Sequence, residues 1–300
     1  MSTSSQDRDE VFRLDRARVR ASFDRASRDY EAAAVLQAQV GDELLSRLLA
    51  FDLQPAVIMD LGAGTGRAAA ELRRRYRQAL VVALDLAPGM LREAQRHQHL
   101  FRRFARLCGD AMRLPLADMS VDIVFSSLML QWCDPPALAF DEIRRVLKPT
   151  GFFCFSTLGP DTLRELRSAW SHVDDYNHVN HFIDMHDLGD ALVRAGFRDP
   201  VLDVDRLELG YPDMRSLMRD LKAIGAHNVT AGRSRGLTGR HRLALAESAY
   251  EPLRHAGQLP ATYEVIYGAA WGTHGRVGSS VGADGEVHIA PSAIRRRSAR

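Results

Sequence analysis

Short apolar runs recur along the middle of the chain, and most of them are followed by a helical stretch. Each run is only a few residues long and does not alternate with polar residues, which is typical of a strand buried on both faces of a parallel sheet. Pro88 suits the first turn of one of the helices. The predicted strands are residues 57–59, 80–84, 104–108, 121–125 and 152–155, and the predicted helices are 68–76, one starting near Pro88, and 137–147.

This alternation predicts an α/β fold with a doubly wound, mostly parallel, seven-stranded Rossmann-like sheet covered by helices on both faces. Before the sheet, apolar residues at three- and four-residue steps predict helical structure over residues 16–50. Later elements follow a turn at 148–151. They are a helix at 161–170 with Asp161 as N-cap, a loop at 171–181, a helix at 188–195 ended by Gly196, a strand at 201–209, a helix at 213–224 and a strand at 264–271.

The predicted organisation is a single domain over residues 16–275. Helical cap segments at 16–50, 158–185 and 213–260 flank its sheet. Residues 1–15 are predicted to be a mobile N-terminus. Residues 276–300 contain mainly Gly, Ser, Ala and Arg with few apolar side chains, a composition typical of a disordered tail.

Composition and charge narrow the class of protein. Of the 300 residues, 46% are hydrophobic and 26% are charged, and the net charge of +2 gives no strong positive field of the kind that binds nucleic acid. The polar N-terminus holds no apolar signal segment, and no run reaches the ~18 apolar residues needed to cross a bilayer. We therefore expect a cytoplasmic enzyme that binds neither nucleic acid nor membrane. Nothing in the sequence predicts its oligomeric state.

The cysteines and histidines predict no metal site. Cys108, Cys133 and Cys154 form no CxxC pair and lie in or beside apolar runs, so we expect buried, reduced thiols. The four histidines between residues 172 and 186 lack the spacing of metal ligands, so we expect polar groups of a loop.

A glycine-rich loop follows the first predicted strand. Gly62, Gly64 and Gly66 fall at every second position, where they let the backbone turn sharply and let a ligand approach without a Cβ in the way. The helix that follows presents free N–H groups to a polar or anionic ligand. The dinucleotide fingerprint needs a glycine where this chain has Arg67, so the spacing favours the sulfonium cofactor S-adenosylmethionine over NAD.

Two aspartates follow the next two predicted strands. Asp85 ends the second strand, where its carboxylate is placed to accept both ribose hydroxyls of an adenosine. The alternative is that Asp85 only caps the helix that begins near Pro88. Asp110 follows the third strand, where it is placed to bind the adenine amino group while Ala111 and Met112 line the ring. The alternative for Asp110 is a solvated turn.

Taken together, these motifs resemble those of the class I methyltransferases. The resemblance rests on IMDLGAGTG, LDLAPGM, GDAMRLPL, VDIVFSSLMLQW and LKPTGFFCFST, within residues 57–157. One departure is Ala63, where the superfamily often has cysteine; either small residue suits the turn. The resemblance implies S-adenosylmethionine as cofactor, in contact with Asp60, Gly62, Ala63, Gly64, Gly66, Asp85, Leu86, Met90, Asp110, Ala111, Met112 and Leu128.

Segments outside these motifs resemble a narrower family, the malonyl-acyl-carrier-protein O-methyltransferases of biotin biosynthesis. They include RVRASFDRA at 18–26, LGPDTLREL at 158–166, LKAIGAHN at 221–228 and GRSRGLTG at 232–239. The resemblance implies methylation of the free carboxylate of malonyl-acyl-carrier protein, or of malonyl-CoA, to start pimeloyl synthesis. The implied partner is an acyl-carrier protein carrying malonyl-phosphopantetheine. Basic residues concentrated over 215–242 suit an acidic carrier, with solvated helix faces as the alternative.

That chemistry needs no general base, because a carboxylate is already ionised and nucleophilic at pH 7. Closure, alignment and expulsion of water are expected to supply most of the rate. An arginine fork suits the acceptor carboxylate, whereas too strong a pairing would blunt the nucleophile and favour a hydroxyl or amide donor instead. The candidate substrate residues are Arg20, Tyr30, Trp132, His227, Arg233 and Arg235. For each arginine, a solvated surface charge is the alternative.

Two other functions remain open at this point. Tyr211-Pro212, residues 260–263 and the region of Trp271 also resemble the mitochondrial complex I assembly factor, which keeps the fold and is described as an arginine hydroxylase. The third possibility is a protein that binds S-adenosylmethionine without catalysing a reaction. The intact glycine loop with Asp85 argues against this third function.

Overall fold

The computed structural model describes residues 14–98, 102–226, 239–273, 279–281 and 287–289. A seven-stranded sheet with the order β3-β2-β1-β4-β5-β7-β6 lies at its centre. Strands β1 to β5 are parallel, and β7 runs antiparallel to both β5 and β6. The strands are β1 (Val57–Leu61), β2 (Leu80–Asp85), β3 (Ala105–Cys108), β4 (Val121–Ser127), β5 (Leu147–Leu158), β6 (Arg198–Tyr211) and β7 (Leu259–Trp271). The predicted fold class is confirmed.

Helices precede the sheet, connect its strands and follow β5. They are α1 (Arg16–Ala26), α2 (Tyr30–Ala33), α3 (Val35–Leu49), α4 (Arg67–Arg75), α5 (Pro88–Glu93), α6 (Pro136–Val146), α7 (Arg164–Ser171), α8 (Met185–Arg194), α9 (Met214–Ala223) and α10 (Arg240–Tyr250). Short 3₁₀ segments lie at Ala94–His97, Leu130–Trp132 and Glu251–Leu253. Within the described residues, no helix is long and apolar enough to span a bilayer.

Two hydrophobic layers cover the sheet because successive side chains of a strand point to opposite faces. In β1, Ile58 packs into one layer and Met59 into the other. The first layer includes side chains of α3, α4, α7, α9 and α10, and the second includes side chains of α6 and α8. Both faces of the central strands are therefore buried, which explains their unbroken apolar runs.

The strand order reverses at β1, which pairs with β2 on one side and β4 on the other. In an open parallel sheet, the crevice beyond the carboxyl ends of the strands at such a reversal is the usual place for a ligand. The glycine loop after β1, Asp85 at the end of β2 and Ser127 at the end of β4 all lie at this edge.

Two predicted local features differ from the structure. The turn at 148–151 belongs to β5, as a bulge between the pairs Val121–Leu147 and Ile123–Phe152. Asp161 is not the N-cap of α7, which begins at Arg164. The physical reason is that the backbone N–H of Asp161 donates to Glu264 Oε2 at 2.8 Å, which holds this residue outside the helix.

The structure describes part of each predicted mobile or disordered terminus and all three cysteines. Residues 1–13 lie outside the described residues, as does most of 276–300. Within the predicted disordered tail, however, Ser279–Val281 and Val287–Ile289 pair as antiparallel strands. The predicted burial holds for Cys133 and Cys154 but is wrong for Cys108, which is exposed. Cys108 lies in β3 at the edge of the sheet, where no further strand covers it.

Candidate functional site

A first cavity lies beyond the carboxyl ends of β1, β2 and β4. Its lining includes the predicted cofactor residues Gly62, Gly64, Asp85, Leu86, Met90, Asp110, Ala111, Met112 and Leu128. Met90, Ala111 and Leu128 are buried, so they give the cavity apolar walls of the kind that hold a planar ring. Residues that were predicted for one cofactor therefore meet in one place.

The three loop glycines have different reasons to be glycine, although all three have left-handed φ angles. A Cβ at Gly62 would lie 2.3 Å from Met129 Cγ, and one at Gly66 would lie 2.7 Å from Ala94 Cβ. A Cβ at Gly64 would meet no atom within 4 Å. Gly62 and Gly64 both line the cavities on the two sides of the loop, but the open space at Gly64 leaves room for a ligand, whereas Gly62 and Gly66 allow close packing.

Asp85 joins the loop to the end of β2. Its Oδ2 accepts from the backbone N–H of Gly64 and its Oδ1 from that of Ala87, both at 2.8 Å. Burial raises the pKa of the Asp85 carboxyl above its ordinary value, although the backbone N–H donors oppose that shift. Asp85 therefore accepts a hydrogen bond from Ala87, just before α5, as a helix-capping residue would. It also lines the first cavity, where the remaining lone pairs of its carboxylate can accept hydrogen bonds from hydroxyl groups.

Asp110 contacts both its own turn and helix α1. Its Oδ1 accepts from the N–H of Met112 at 2.9 Å, and its Oδ2 forms an ion pair with Arg16. Arg16, Val19 and Phe23 of α1 all line the first cavity. The N-terminal helix therefore covers the cavity, and it belongs to the helical cap segment predicted over residues 16–50.

A second cavity lies on the other side of the glycine loop, against α3. The predicted residues Asp60 and Ala63 line it, together with Gly62, Gly64, Tyr30, Gln37, Thr65, Arg67 and His97. Asp60 is buried, and its Oδ2 has no hydrogen-bond partner among the described atoms. Burial, with a smaller contribution from the charge of Asp85, raises the pKa of Asp60 to about 7. An orphaned carboxylate oxygen of this kind suits a cationic ligand group.

A third cavity opens between the N-terminal helices and the segments that follow β5. Phe23, Tyr30, Leu128 and Trp132 line it as well as the first cavity, and Tyr30 lines all three. Burial, followed by the charge of Asp85, raises the pKa of the Tyr30 phenol. The other lining residues are Leu36, Gln37, Gln131, Leu158, Thr162, Leu163, Asn180, Phe182, Leu221, Ile224, Ala226 and Tyr263. None of these described lining residues carries a positive charge.

Some predicted site residues lie elsewhere. Gly66 is buried and lines none of the three cavities, because it packs against Ala94 and Phe104. Arg20 is exposed on α1 and lines none of them either, because the buried face of that helix is formed by Val19 and Ser22. His227, Arg233 and Arg235 lie outside the described residues. Of the predicted substrate residues, the structure brings together Tyr30 and Trp132.

Residues that sequence reasoning missed come mainly from the N-terminal helices and from scattered single positions. Arg16, Phe23, Gln37, Gln131 and Asn180 all line a cavity. The periodicity of residues 16–50 identified helices but did not tell which helical face meets a cavity. Across the described part of the chain, no cluster of three or more His, Cys, Asp or Glu side chains could hold a metal ion.

The arrangement suits a ligand that passes over the glycine loop. The first cavity offers apolar walls and two aspartates to a nucleoside, and the second offers Asp60 to a cationic group. The third cavity is a separate chamber that meets the other two at Tyr30. Such a site can bring a second molecule against the middle of the first ligand.

Comparisons with known proteins agree with this geometry. A family model described as a methyltransferase domain matches residues 59–155. A methyltransferase structure from Thermotoga maritima has a TM-score of 0.51 at 17% identity, covering 84% of this chain and 99% of that chain, and supports the fold alone.

Sequence relatives are much closer. The malonyl-[acyl-carrier protein] O-methyltransferase of Laribacter hongkongensis is 54% identical, covering 87% of this chain and 91% of that protein. The protein of the same name from Methylovorus sp. is 53% identical, covering 89% of this chain and 93% of that protein. Agreement of this extent over nearly the full length of both relatives means that the chain belongs to the malonyl-[acyl-carrier protein] O-methyltransferase family.

Proposed function

We propose that this protein transfers the methyl group of S-adenosylmethionine to the free carboxylate of malonyl-acyl-carrier protein in the cytoplasm. The product is the malonyl methyl ester that starts pimeloyl synthesis in biotin biosynthesis. The observation that carries the proposal is the meeting of the three cavities at Tyr30, in a chain about half identical to enzymes of that name. We call the first and second cavities the donor side and the third cavity the acceptor chamber.

The donor side fits the cofactor. When bound, S-adenosylmethionine supplies an electrophilic methyl group on a sulfonium centre. Asp85 would accept the ribose hydroxyls, and Leu86 and Met90 would pack against the adenosine. Asp60 would face the ammonium group of the methionine end, and Gly64 would let the cofactor cross the loop without a clash. The orphaned Asp60 oxygen and the open space at Gly64 both favour such a ligand.

The acceptor chamber fits a nucleophile that arrives ionised. Tyr30 and Gln37 offer a hydroxyl and an amide group, while apolar side chains exclude water. No proton has to be removed from a malonyl carboxylate at pH 7, so the residues need only to bind, orient and desolvate it. Desolvation raises the reactivity of both charges, because the reaction cancels one against the other.

The carrier protein would approach from outside the acceptor chamber. Of the basic residues predicted to suit it, Arg215 pairs with Glu247 at 2.5 Å and Arg242 pairs with Asp174. Those two side chains are therefore committed to contacts within the chain. Lys222 and Arg240 are exposed, and Lys222 lies on α9 beside Leu221 of the chamber wall. We propose that these free cations help to receive an acidic carrier protein.

A mass-spectrometric assay tests the proposal. Full-length protein is incubated with S-adenosylmethionine and malonyl-acyl-carrier protein, and the expected result is a gain of one methyl group on the malonyl arm. Acetyl-acyl-carrier protein, which has no free carboxylate, is the matched control and should stay unmodified. Malonyl-CoA in place of the carrier shows whether the carrier itself is required.

Other outcomes would favour the alternatives. An unmodified malonyl arm together with hydroxylated arginine in a peptide substrate would point to the arginine hydroxylase. Tight cofactor binding with no product on any carboxylate-bearing acceptor would point to a protein without catalysis. Restored growth of a biotin auxotroph lacking this methyltransferase would place the activity in the proposed pathway.

A further inference from the structure

Two glutamines line the acceptor chamber, and they differ in what their amides do. Gln131 lies in the 3₁₀ segment after β4, where its Nε2 donates to the carbonyl oxygen of Leu128 at 2.7 Å. Its Oε1 accepts from the hydroxyl of Thr157 at 3.2 Å. Both ends of this amide are therefore used by the protein itself, which makes Gln131 part of the framework.

Gln37 lies in the first turn of α3 and is half-buried. Its Oε1 is buried and has no hydrogen-bond partner among the described atoms. Its side chain lines both the second cavity and the acceptor chamber, so it stands in the wall between the donor side and the acceptor. Buried amide oxygens normally have a partner, so this one is suited to a group that a ligand brings.

Other polar side chains of the chamber are committed elsewhere. Thr162 bonds to the backbone of Glu264, with its hydroxyl 3.2 Å from the carbonyl oxygen and 3.1 Å from the N–H. Gln37 is thus a described chamber residue whose buried amide oxygen is available at the boundary that the reaction must cross, beside Tyr30, which also lines both sides.

We propose that Gln37 bridges the two substrates, with Oε1 accepting from the cofactor ammonium group and Nε2 donating to the acceptor carboxylate. An amide can do both because it carries an acceptor and two donors on one rigid plane. The bridge would hold a carboxylate oxygen in line with the methyl group, a positioning role. This inference rests on the proposed function.

A neutral donor also suits the nucleophile. A charged guanidinium would bind the carboxylate more strongly and draw electron density from the attacking oxygen. An amide gives weaker, directional binding that leaves more charge on that oxygen. The absence of a cation among the described lining residues of the chamber agrees with this choice.

The test compares three variants of the full chain. Gln37→Leu keeps the approximate volume but removes the amide, and it should lower kcat/KM for malonyl-acyl-carrier protein by about 10- to 100-fold, as expected for a hydrogen bond to a charged group. Gln37→Glu places a carboxylate opposite the acceptor and should raise its KM further. Neither variant should lower Tm by more than a degree or two, because Oε1 has no partner in the protein to lose.

Gln131→Leu is the matched control. It removes an amide from the same chamber but leaves the Leu128 carbonyl and the Thr157 hydroxyl unpaired, so its main effect should be a lower Tm. Binding of S-adenosylhomocysteine should weaken by about tenfold or more in Gln37→Leu, because one hydrogen bond to the charged ammonium group is lost.

The outcomes separate this inference from the proposed function. If the wild type methylates malonyl-acyl-carrier protein and Gln37→Leu keeps its kcat/KM within twofold, the bridge is wrong and the function stands. A loss confined to S-adenosylhomocysteine binding would also overturn it, since Gln37 would then serve the cofactor alone. A wild type inactive on the malonyl carrier would overturn the function itself, and the bridge with it.

Discussion

The donor side and the acceptor chamber are assembled in different ways. The first cavity of the donor side takes most of its lining from four short segments at the ends of adjacent strands, residues 61–64, 85–90, 109–112 and 127–129. The acceptor chamber takes single residues from helices and loops along nearly the whole chain, from Phe23 to Tyr263. The first cavity is therefore built mainly from a few short segments, whereas the acceptor chamber is built from residues that lie far apart in the sequence.

The donor side and the acceptor chamber are held in place by different kinds of contact. Parallel pairing of β1, β2, β3 and β4 fixes the donor segments relative to one another, so the backbone itself sets their geometry. The acceptor chamber depends on contacts between distant helices, such as the hydroxyl of Ser22 donating to the carbonyl oxygen of Gly225 at 3.2 Å. We expect substitutions on the two sides to separate cofactor binding from acceptor use.

Asp85→Ala should have the largest effect and should act on the donor side. It removes the proposed bonds to both ribose hydroxyls and also the backbone bonds from Gly64 of the glycine loop and from Ala87. Two bonds to a charged group at about 1.5–3 kcal/mol each imply at least about a 100-fold weaker affinity. Calorimetry with S-adenosylhomocysteine measures it, and an unchanged affinity would show that Asp85 only supports α5.

Gly62 and Gly64 lie in the same loop, but we expect their substitution by alanine to have different effects. Gly64→Ala should weaken cofactor binding by tenfold or more, since its Cβ would occupy open space beside both cavities, with a left-handed strain of about 1–2 kcal/mol. Gly62→Ala should instead lower Tm by roughly 5–10 °C, because it adds a clash with Met129 to the same strain. Equal loss of Tm in both variants would contradict this division.

Leu221→Trp probes the acceptor chamber alone. Leu221 is half-buried and lines only that cavity, so a larger ring should narrow it and raise the KM for malonyl-acyl-carrier protein by about tenfold, a loss of 1.4 kcal/mol. Affinity for S-adenosylhomocysteine should not change. Leu138→Trp, at an exposed leucine of α6, is the control and should alter neither value. A shared loss of cofactor affinity would break the separation of the two sides.

Cofactor affinity should depend on pH because of Asp60, a residue of the donor side. With a pKa of about 7, Asp60 is mostly protonated at pH 6 and mostly ionised at pH 8. The cationic end of the cofactor favours the ionised form, so affinity should rise as pH increases through 7, by up to about tenfold from pH 6 to pH 8. Titration calorimetry at several pH values checks this, and Asp60→Asn should abolish the rise.

Arg16→Ala should have the smallest effect. Its ion pair with Asp110 ties α1 across the first cavity, but the arginine is about half exposed, with 48% of its side chain accessible. Exposed pairs contribute about 0–1 kcal/mol, so cofactor affinity should fall by about two- to fivefold with Tm unchanged. Stopped-flow dissociation of the cofactor should then be faster. A loss as large as that of Asp85→Ala would mean that the cover, rather than the strand ends, holds the cofactor.

The fold was predictable because its signals are local. Five short, mostly apolar runs gave strands that the structure matches to within two residues at each end, except β5, which continues through 148–151. That extension depends on a backbone bond from Gly272 to Gly151 at 2.8 Å, which no short stretch of sequence reveals. Asp161 was likewise misplaced because Glu264, more than a hundred residues away, binds its N–H.

The positions of the glycine loop, Asp85 and Asp110 could be predicted from the sequence, because these residues lie at the ends of strands whose parallel pairing leaves little choice of position. The identity of the residues that face the acceptor, in contrast, depends on the tertiary structure. It excluded Arg20 from the cavities, because a helix periodicity does not say which partner each face will meet. It also left Gln37 Oε1 without a partner among the described atoms, whereas both ends of the Gln131 amide are bonded, a difference between identical side chains that depends wholly on their neighbours.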